Sequence, residues 1–231
     1  MSPKIKIGIL GGIGPEATAE FYSKLIYTLQ KEKLIKSNKD YPQIIINSIP
    51  APELIYEKIL KEDLKPYIEG LKELDKFNPD FIVMVCNTIH LYYERLQKEV
   101  KTPIIDLRKE VKEYLIKNKI KSAFILGTPN TVKQGLYKFK NIRCFNPDNR
   151  ELKILSKSIF DFNKGYKKEE QIEKTRSICR KYIEKGAETI ILGCTEFAVM
   201  LKNENIPKIN IIDILVDAVI ERFISKSSDD R

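Results

Sequence analysis

The sequence predicts an α/β protein written as two similar halves, each a mainly parallel sheet flanked by helices. Three observations carry that expectation. Short apolar runs alternate with longer amphipathic stretches, the rhythm of strands and helices wound into parallel sheets. One apolar run ending in cysteine occurs twice, as Phe81-Ile-Val-Met-Val-Cys86 and as Thr189-Ile-Ile-Leu-Gly-Cys194. The interval between those cysteines matches, to within one residue, the interval between Asp106 and Asp213, which close two further Ile-rich runs. A duplicated unit with small loop insertions explains the agreement.

The elements follow in order. Ile5–Leu10 alternates with basic residues as an opening strand, and Gly11-Gly-Ile-Gly14-Pro15 breaks it. Pro15 suits the first turn of a helix running from about Glu16 to Leu34. Strand Gln43–Asn47, helix Leu64–Phe77, strand Phe81–Val85, a helix from about His90 and strand Ile104–Asp106 complete the first half. The grammar then restarts with strand Ala123–Gly127, helix Thr131–Lys138, strand Thr189–Gly193 and strand Ile209–Asp213. A closing helix, Leu215–Ile224, is expected to pack back on the first half, and the polar stretch Ser225–Arg231 to fray. The expected domains are therefore 1–107 with 214–231, and 108–213. Sites in such sheets lie at the carboxyl ends of strands, which puts both cysteines on the functional edge.

Composition narrows the function classes. With 231 residues, 42% of them hydrophobic, the chain can bury an ample core. Its apolar runs stop far short of the roughly 20 residues a spanning helix needs, and its start reads as a strand rather than a signal peptide, so a cytoplasmic protein with no membrane partner is expected. Four cysteines without a C-x-x-C pair and a single histidine leave little for a disulfide framework or a metal centre, and no metal is expected. The balance of 41 Lys+Arg to 32 Asp+Glu gives a net charge of +9. Both signs interleave along runs such as Lys167-Lys-Glu-Glu-Gln-Ile-Glu-Lys174, as on solvated helix faces, so nucleic acid is not an expected partner.

The glycine turn at 11–14 offers free backbone amides to an anion at a helix start. It formally fits a dinucleotide fingerprint, but the acid expected after the second strand is missing, since Ile44-Ile-Ile ends in Asn47-Ser48. The turn after the fourth strand carries Thr128-Pro129-Asn130-Thr131. Cys86 precedes Asn87-Thr88, and Cys194 precedes Thr195, each at a helix start where amides lower a thiol's pKa. His90 lies one helical turn from Cys86 and either orients that thiol or packs as a core histidine. Glu196 and Asp106 are read as thiol assistants or as local caps. Matched thiols in two halves suit a reaction with two mirror-related proton transfers, which points to racemisation or epimerisation.

With Val85-Cys86-Asn-Thr-Ile-His90, Ile191-Leu-Gly-Cys194-Thr-Glu196 and the opening Gly8-Ile-Leu-Gly-Gly-Ile-Gly-Pro15 in view, the chain resembles the cofactor-independent aspartate/glutamate racemase family, most closely its aspartate racemase branch. The resemblance implies two similar α/β domains with the active site in the cleft between them, commonly a homodimer, and no pyridoxal phosphate or other cofactor. It implies that Cys194 serves the L enantiomer and Cys86 the D enantiomer. Gly12, Asn87, Thr88, Thr128, Thr131 and Thr195 match positions that bind the amino acid substrate, and Lys164 matches a lysine that reads its acidic side chain. Pro52 departs from the pattern, because close aspartate racemases carry arginine there, and its loss removes a bidentate partner for a carboxylate. Lys58 and Lys61 are the nearby basic residues available to fill that gap. Alternatives are a glutamate or broad-specificity racemase, a related hydantoin racemase or maleate isomerase, a noncatalytic amino acid binding module and, last, a nicotinamide oxidoreductase.

Overall fold

The computed structural model describes residues 5–52, 54, 59–60 and 62–229, with side chains as far as 226. Two parallel sheets carry the architecture. The first has strands β1 (Lys6–Gly11), β2 (Gln43–Ser48) and β3 (Phe81–Met84) in the order β2-β1-β3. The second has β4 (Ser122–Gly127), β5 (Arg143–Phe145), β6 (Thr189–Gly193) and β7 (Lys208–Ile209) in the order β5-β4-β6-β7. The registers are equivalent across the halves: two residues before each cysteine, Leu10 of β1 stands beside Met84 of β3, and Leu126 of β4 beside Leu192 of β6. Both halves therefore deliver a cysteine just past the end of the same kind of strand.

Helices cover the sheets as the apolar patterns dictate. In β1, Ile7 and Ile9 point to one face and join Val83 in a core shared with α1 (Pro15–Lys31), whose Phe21, Leu25 and Leu29 are fully buried. Leu10 points to the other face, where Tyr67, Leu71 and Leu74 of α2 (Lys65–Asp75) close a second cluster. The period of two along the strand meets the period of 3.6 along each helix, so the buried positions are mostly apolar, with Thr18 of α1 a polar exception. After α3 (Tyr93–Gln97) and α4 (Leu107–Lys117), the second half adds α5 (Pro129–Lys133), α6 (Asn149–Asn163), α7 (Lys168–Glu184) and α8 (Thr195–Met200). The last helix, α9 (Ile211–Asp229), packs on α1 of the first half and on α4 and α8, and one continuous core joins the two halves. Among the described residues no helix is long and apolar enough to cross a membrane.

Several expected boundaries move, each for a local reason. The strand expected at Ile104–Asp106 shrinks to a single bridge between Ile82 and Ile104. Asp106 instead caps α4, its carboxylate accepting from the Arg108 amide at 3.1 Å. The strand expected at Ile209–Asp213 ends at Ile209, because Asn210 accepts from the Ile212 amide at 3.0 Å and starts α9. The helix expected at Thr131–Lys138 begins earlier, at Pro129, and stops at Lys133, short of Gly135, whose φ is +68°. The tail expected to fray is helical as far as Asp229, and the Lys226 ammonium ties it to Asp80 at 2.6 Å.

Two glycine turns position the site. Gly12 has φ +83°, and a Cβ there would lie 2.3 Å from the Ile49 carbonyl oxygen. Gly165, between α6 and α7, has φ +72° but open space around it. Gly12→Ala therefore combines backbone strain with a backbone clash, and is expected to cost about 2–4 kcal/mol. Gly165→Ala carries the strain alone, at roughly 1 kcal/mol. Thermal melts of the two variants check this, with the Gly12 variant expected to lose at least twice as much. Equal losses would mean that the loop at Gly12 yields without resistance.

Candidate active site

In both sheets the chain leaves the central strand to pair first on one side and later on the other, so a crevice opens at the carboxyl ends between β1 and β3 and between β4 and β6. That is the position at which parallel α/β sheets bind ligands. The two crevices open onto a single cavity of about 390 Å³, a size suited to a small metabolite. Its lining comes from the turn after β1, the segments following β3, β4 and β6, the start of α1 and the end of α6, together with Ala51 and Leu54.

Cys86 and Cys194 both line this cavity, each only 7% exposed. Gly12, Thr88, Thr128 and Thr195 line it with them. Asn87 and Thr131 are buried behind the lining. The Thr88 hydroxyl, from the first half, lies 2.9 Å from that of Thr131 and 3.2 Å from that of Thr128, both from the second half. The Tyr137 hydroxyl donates to Asn87 Oδ1 across the same junction. These buried hydroxyls and the Asn87 carbonyl satisfy one another and tie the two halves together at the cleft. The Asn87 Nδ2 amide has no partner among the described groups.

Gly14 brings the halves close on the opposite wall. A Cβ on it would meet Glu196 Oε1 at 3.2 Å and Thr195 Oγ1 at 3.4 Å, so only a glycine, here with φ +90°, leaves this approach free. Glu196 is the centre of a small network. Its Oε2 accepts from Cys194 Sγ at 2.8 Å and from the Thr195 hydroxyl at 3.1 Å, and its Oε1 accepts from Asn163 at 3.2 Å.

The electrostatics of the thiols reverse the expectation drawn from their helix starts. Burial pushes Cys86 up to about 12, against the pull of the Ile89 and Thr88 amides. Burial also lifts Cys194 well above the usual thiol range, and the Glu196 carboxylate beside it adds to the rise. Amides at a short helix start favour a thiolate, but removal from water disfavours it more. Burial thus disfavours the thiolate at both cysteines, and one of the thiols is hydrogen-bonded to the Glu196 carboxyl group.

His90 is fully buried, and burial holds it down to about 4, so it is neutral. Its Nε2 lies 3.4 Å from the Met84 carbonyl, and its ring stacks near Tyr93. A neutral ring cannot acidify Cys86 by charge, and its contacts are those of a packed core histidine. Asp106 is likewise occupied as a cap, with Arg108 Nε at 2.9 Å. Lys164 lies outside the lining, its ammonium 4.0 Å from the centroid of the Phe160 ring. Lys58 and Lys61 fall outside the described residues. Among the described residues no group of three or more His, Cys, Asp or Glu is placed to hold a metal ion.

Glu16, Phe162 and Asn163 also line the cavity, and nothing in the local sequence marked them. Glu16 in the first turn of α1 reads as a partner for the helix dipole. Phe162 reads as one more apolar residue of an amphipathic helix. Their role follows from where α1 and α6 end in space.

Comparison with known proteins gives a consistent answer. Residues 10–220 match the family model described as Asp/Glu/Hydantoin racemase. The broad specificity amino-acid racemase RacX of Bacillus subtilis is 28% identical over 96% of this chain and all of its own length. Among solved structures, the Picrophilus torridus aspartate racemase superposes with TM-score 0.78 at 26% identity, covering 95% of this chain and 94% of that one. An aspartate racemase homologue from Pyrococcus horikoshii superposes with TM-score 0.71 at 29% identity, covering 94% of this chain and 98% of the other.

Proposed function

Because this chain belongs to the Asp/Glu/hydantoin racemase family, we propose that it is a cofactor-independent amino acid racemase that inverts its substrate between two thiols, with aspartate as the principal substrate. The observation that supports this reading most is the pair of nearly buried cysteines on one cavity, delivered by equivalent strands of the two sheets. A deprotonated thiol on one face removes the α-proton while the protonated thiol on the other face supplies one, so inversion needs no reorientation of the intermediate.

In the direction starting from the L enantiomer, Cys194 Sγ–H passes its proton to Glu196 and the resulting thiolate takes the α-proton. Cys86 then delivers its own proton to the opposite face and is left as a thiolate, Cys194 holds the α-proton, and the cycle closes when Glu196 releases its proton to solvent and Cys86 takes one back from solvent. The carbanion-like charge must be met by fixed dipoles, a role we assign to the turn at 13–14 and the hydroxyls of Thr88, Thr128 and Thr195 in the lining, the Gly12 amide being already engaged with Thr18 Oγ1 at 3.1 Å. Asn87 and Thr131 act from behind as positioning residues, holding the junction on which Thr88 sits. Partial removal of the site from water strengthens each of these contacts. The family resemblance adds a homodimer, working in the cytoplasm with its thiols reduced.

A wider substrate range is the second reading. It is favoured by the full-length similarity to a broad-specificity racemase and by the absence of a cationic side chain from the described lining. Incubation of L- and D-amino acids in deuterated water tests the proposal directly. Early product is expected to carry deuterium at the α-position while recovered substrate stays largely unlabelled, and chelation or removal of pyridoxal phosphate is expected to leave the rate unchanged. Binding without exchange would make the chain a binding module. Restoration of a lost rate only by a metal or by pyridoxal phosphate would overturn the cofactor-independent mechanism.

A further inference from the structure

An acidic substrate meets a difficulty in this cavity, since the charged side chains in its described lining are two carboxylates, Glu16 and Glu196. The lysine indicated by the resemblance stands apart from it. Phe160 and Phe162 are two positions apart on α6 and so project to opposite sides of the helix. Phe162 is buried and lines the cavity, whereas Phe160 is 39% exposed and carries Lys164 over its ring.

Lys168 is likewise not among the lining residues, but it packs on two that are. It opens α7, beyond the left-handed residues Gly165 and Lys167 that reverse the chain after α6. Its ammonium lies 4.5 Å from the centroid of the Phe162 ring and 2.8 Å from Glu16 Oε1. Both neighbours belong to the cavity wall, so the charge stands against that wall and bridges the first half to the second.

We propose that Lys168 reads the substrate's distal carboxylate, and that Glu16 occupies its ammonium when the cavity is empty. The inference rests on the racemase reading and names the residue that gives it acid selectivity without an arginine at position 52. The exchange of partners is cheap, because the side chains of Lys168 and Glu16 are 37% and 57% exposed and a pair that open to water is weakly held. A carboxylate entering the cavity sheds water and gains more from the same ammonium than Glu16 does at the rim. Glu16 then becomes a like-charge neighbour of the substrate, which sets the sign of its substitution.

Lys168→Met keeps an apolar stem on Phe162 and removes the charge. It is expected to raise the Michaelis constant for aspartate at least tenfold and to change that for homoserine, its neutral analogue, by less than twofold, with Lys168→Arg restoring most of the loss. Glu16→Gln is expected to act in the reverse direction, lowering the constant for aspartate about threefold. Lys164→Met is expected to change it by threefold or less. Calorimetric titration of aspartate and homoserine onto the same proteins is expected to reproduce these ratios as affinities, which separates recognition from turnover. Absence of α-hydrogen exchange in the wild type with the affinity pattern intact would sink the racemase reading and leave the recognition residue standing. Equal effects of Lys168→Met on both ligands, a larger aspartate-specific loss in Lys164→Met, or a wild type that does not prefer aspartate to homoserine would overturn the proposal.

Discussion

Cys86→Ala and Cys194→Ala are each expected to lower racemisation by about a thousandfold or more while leaving the fold intact. Each removes the acid or base for one face, and a positioned proton-transfer group contributes roughly 10²–10⁴ in rate. The losses should not multiply in the double variant, because the two thiols act as a unit. The half-reactions are more revealing than the overall rate. In Cys86→Ala the surviving Cys194 still faces one enantiomer, so that enantiomer is expected to exchange its α-hydrogen for deuterium without inverting. On the proposed assignment it is the L form, and Cys194→Ala should label the D form instead. Proton magnetic resonance of recovered substrate, with circular dichroism as the check on folding, decides the matter. Full racemisation by either folded single variant would end the two-thiol mechanism, and exchange of the opposite enantiomers would swap the roles of the cysteines.

Glu196→Gln is expected to produce the next largest effect, a fall of about a hundredfold in kcat. The carboxylate accepts from Cys194 Sγ at 2.8 Å, and glutamine in its place has no capacity to take that proton. The pH dependence separates this role from a merely electrostatic one. Cys194 must be a thiolate to act as base, and burial first, then the charge and hydrogen bond of Glu196, hold its pKa above the ordinary range. The rate therefore climbs with pH through neutrality. Removing the negative charge lowers the thiol's pKa, so the climb is expected to move to lower pH even as the plateau drops. If Glu196 only opposed the thiolate, the variant would be faster than wild type near pH 7, and that result would remove Glu196 from the proton path. Enantiomers have equal free energies, so kcat/KM must stay equal in both directions in every variant. Any asymmetry will appear in kcat and KM separately.

Much of the fold was legible because its signals are local. Two buried runs ending in Cys86 and Cys194, a glycine turn before Pro15 and the alternation of strand and helix patterns fix the class, the repeat and the sheet edge on which both cysteines lie. The boundaries that moved did so through side-chain capping by Asp106 and Asn210, which competes with strand pairing over one or two residues. Periodicity does not register so local a competition. The direction of the thiols' pKa shift was read the other way for a different reason. A helix start is visible in sequence, whereas the degree of burial that outweighs it depends on what the other half places over the cysteine.

The sequence by itself determined that this protein has parallel α/β sheets in two matched halves, with a thiol at the carboxyl end of each and the residue types of a racemase around them. The tertiary structure alone decided which residues meet across the cleft. It packed Thr88 on Thr128 and Thr131, seated Asn87 under Tyr137, set Glu196 against Cys194 and brought Lys168 to Glu16. Strand propensity, turn chemistry and apolar periodicity act over a few neighbouring residues, so they are written along the chain. Contacts between residues as far apart in sequence as Glu16 and Lys168 depend on how α1, α6 and α7 end in space, and that is settled only when the shared core of the two halves is packed.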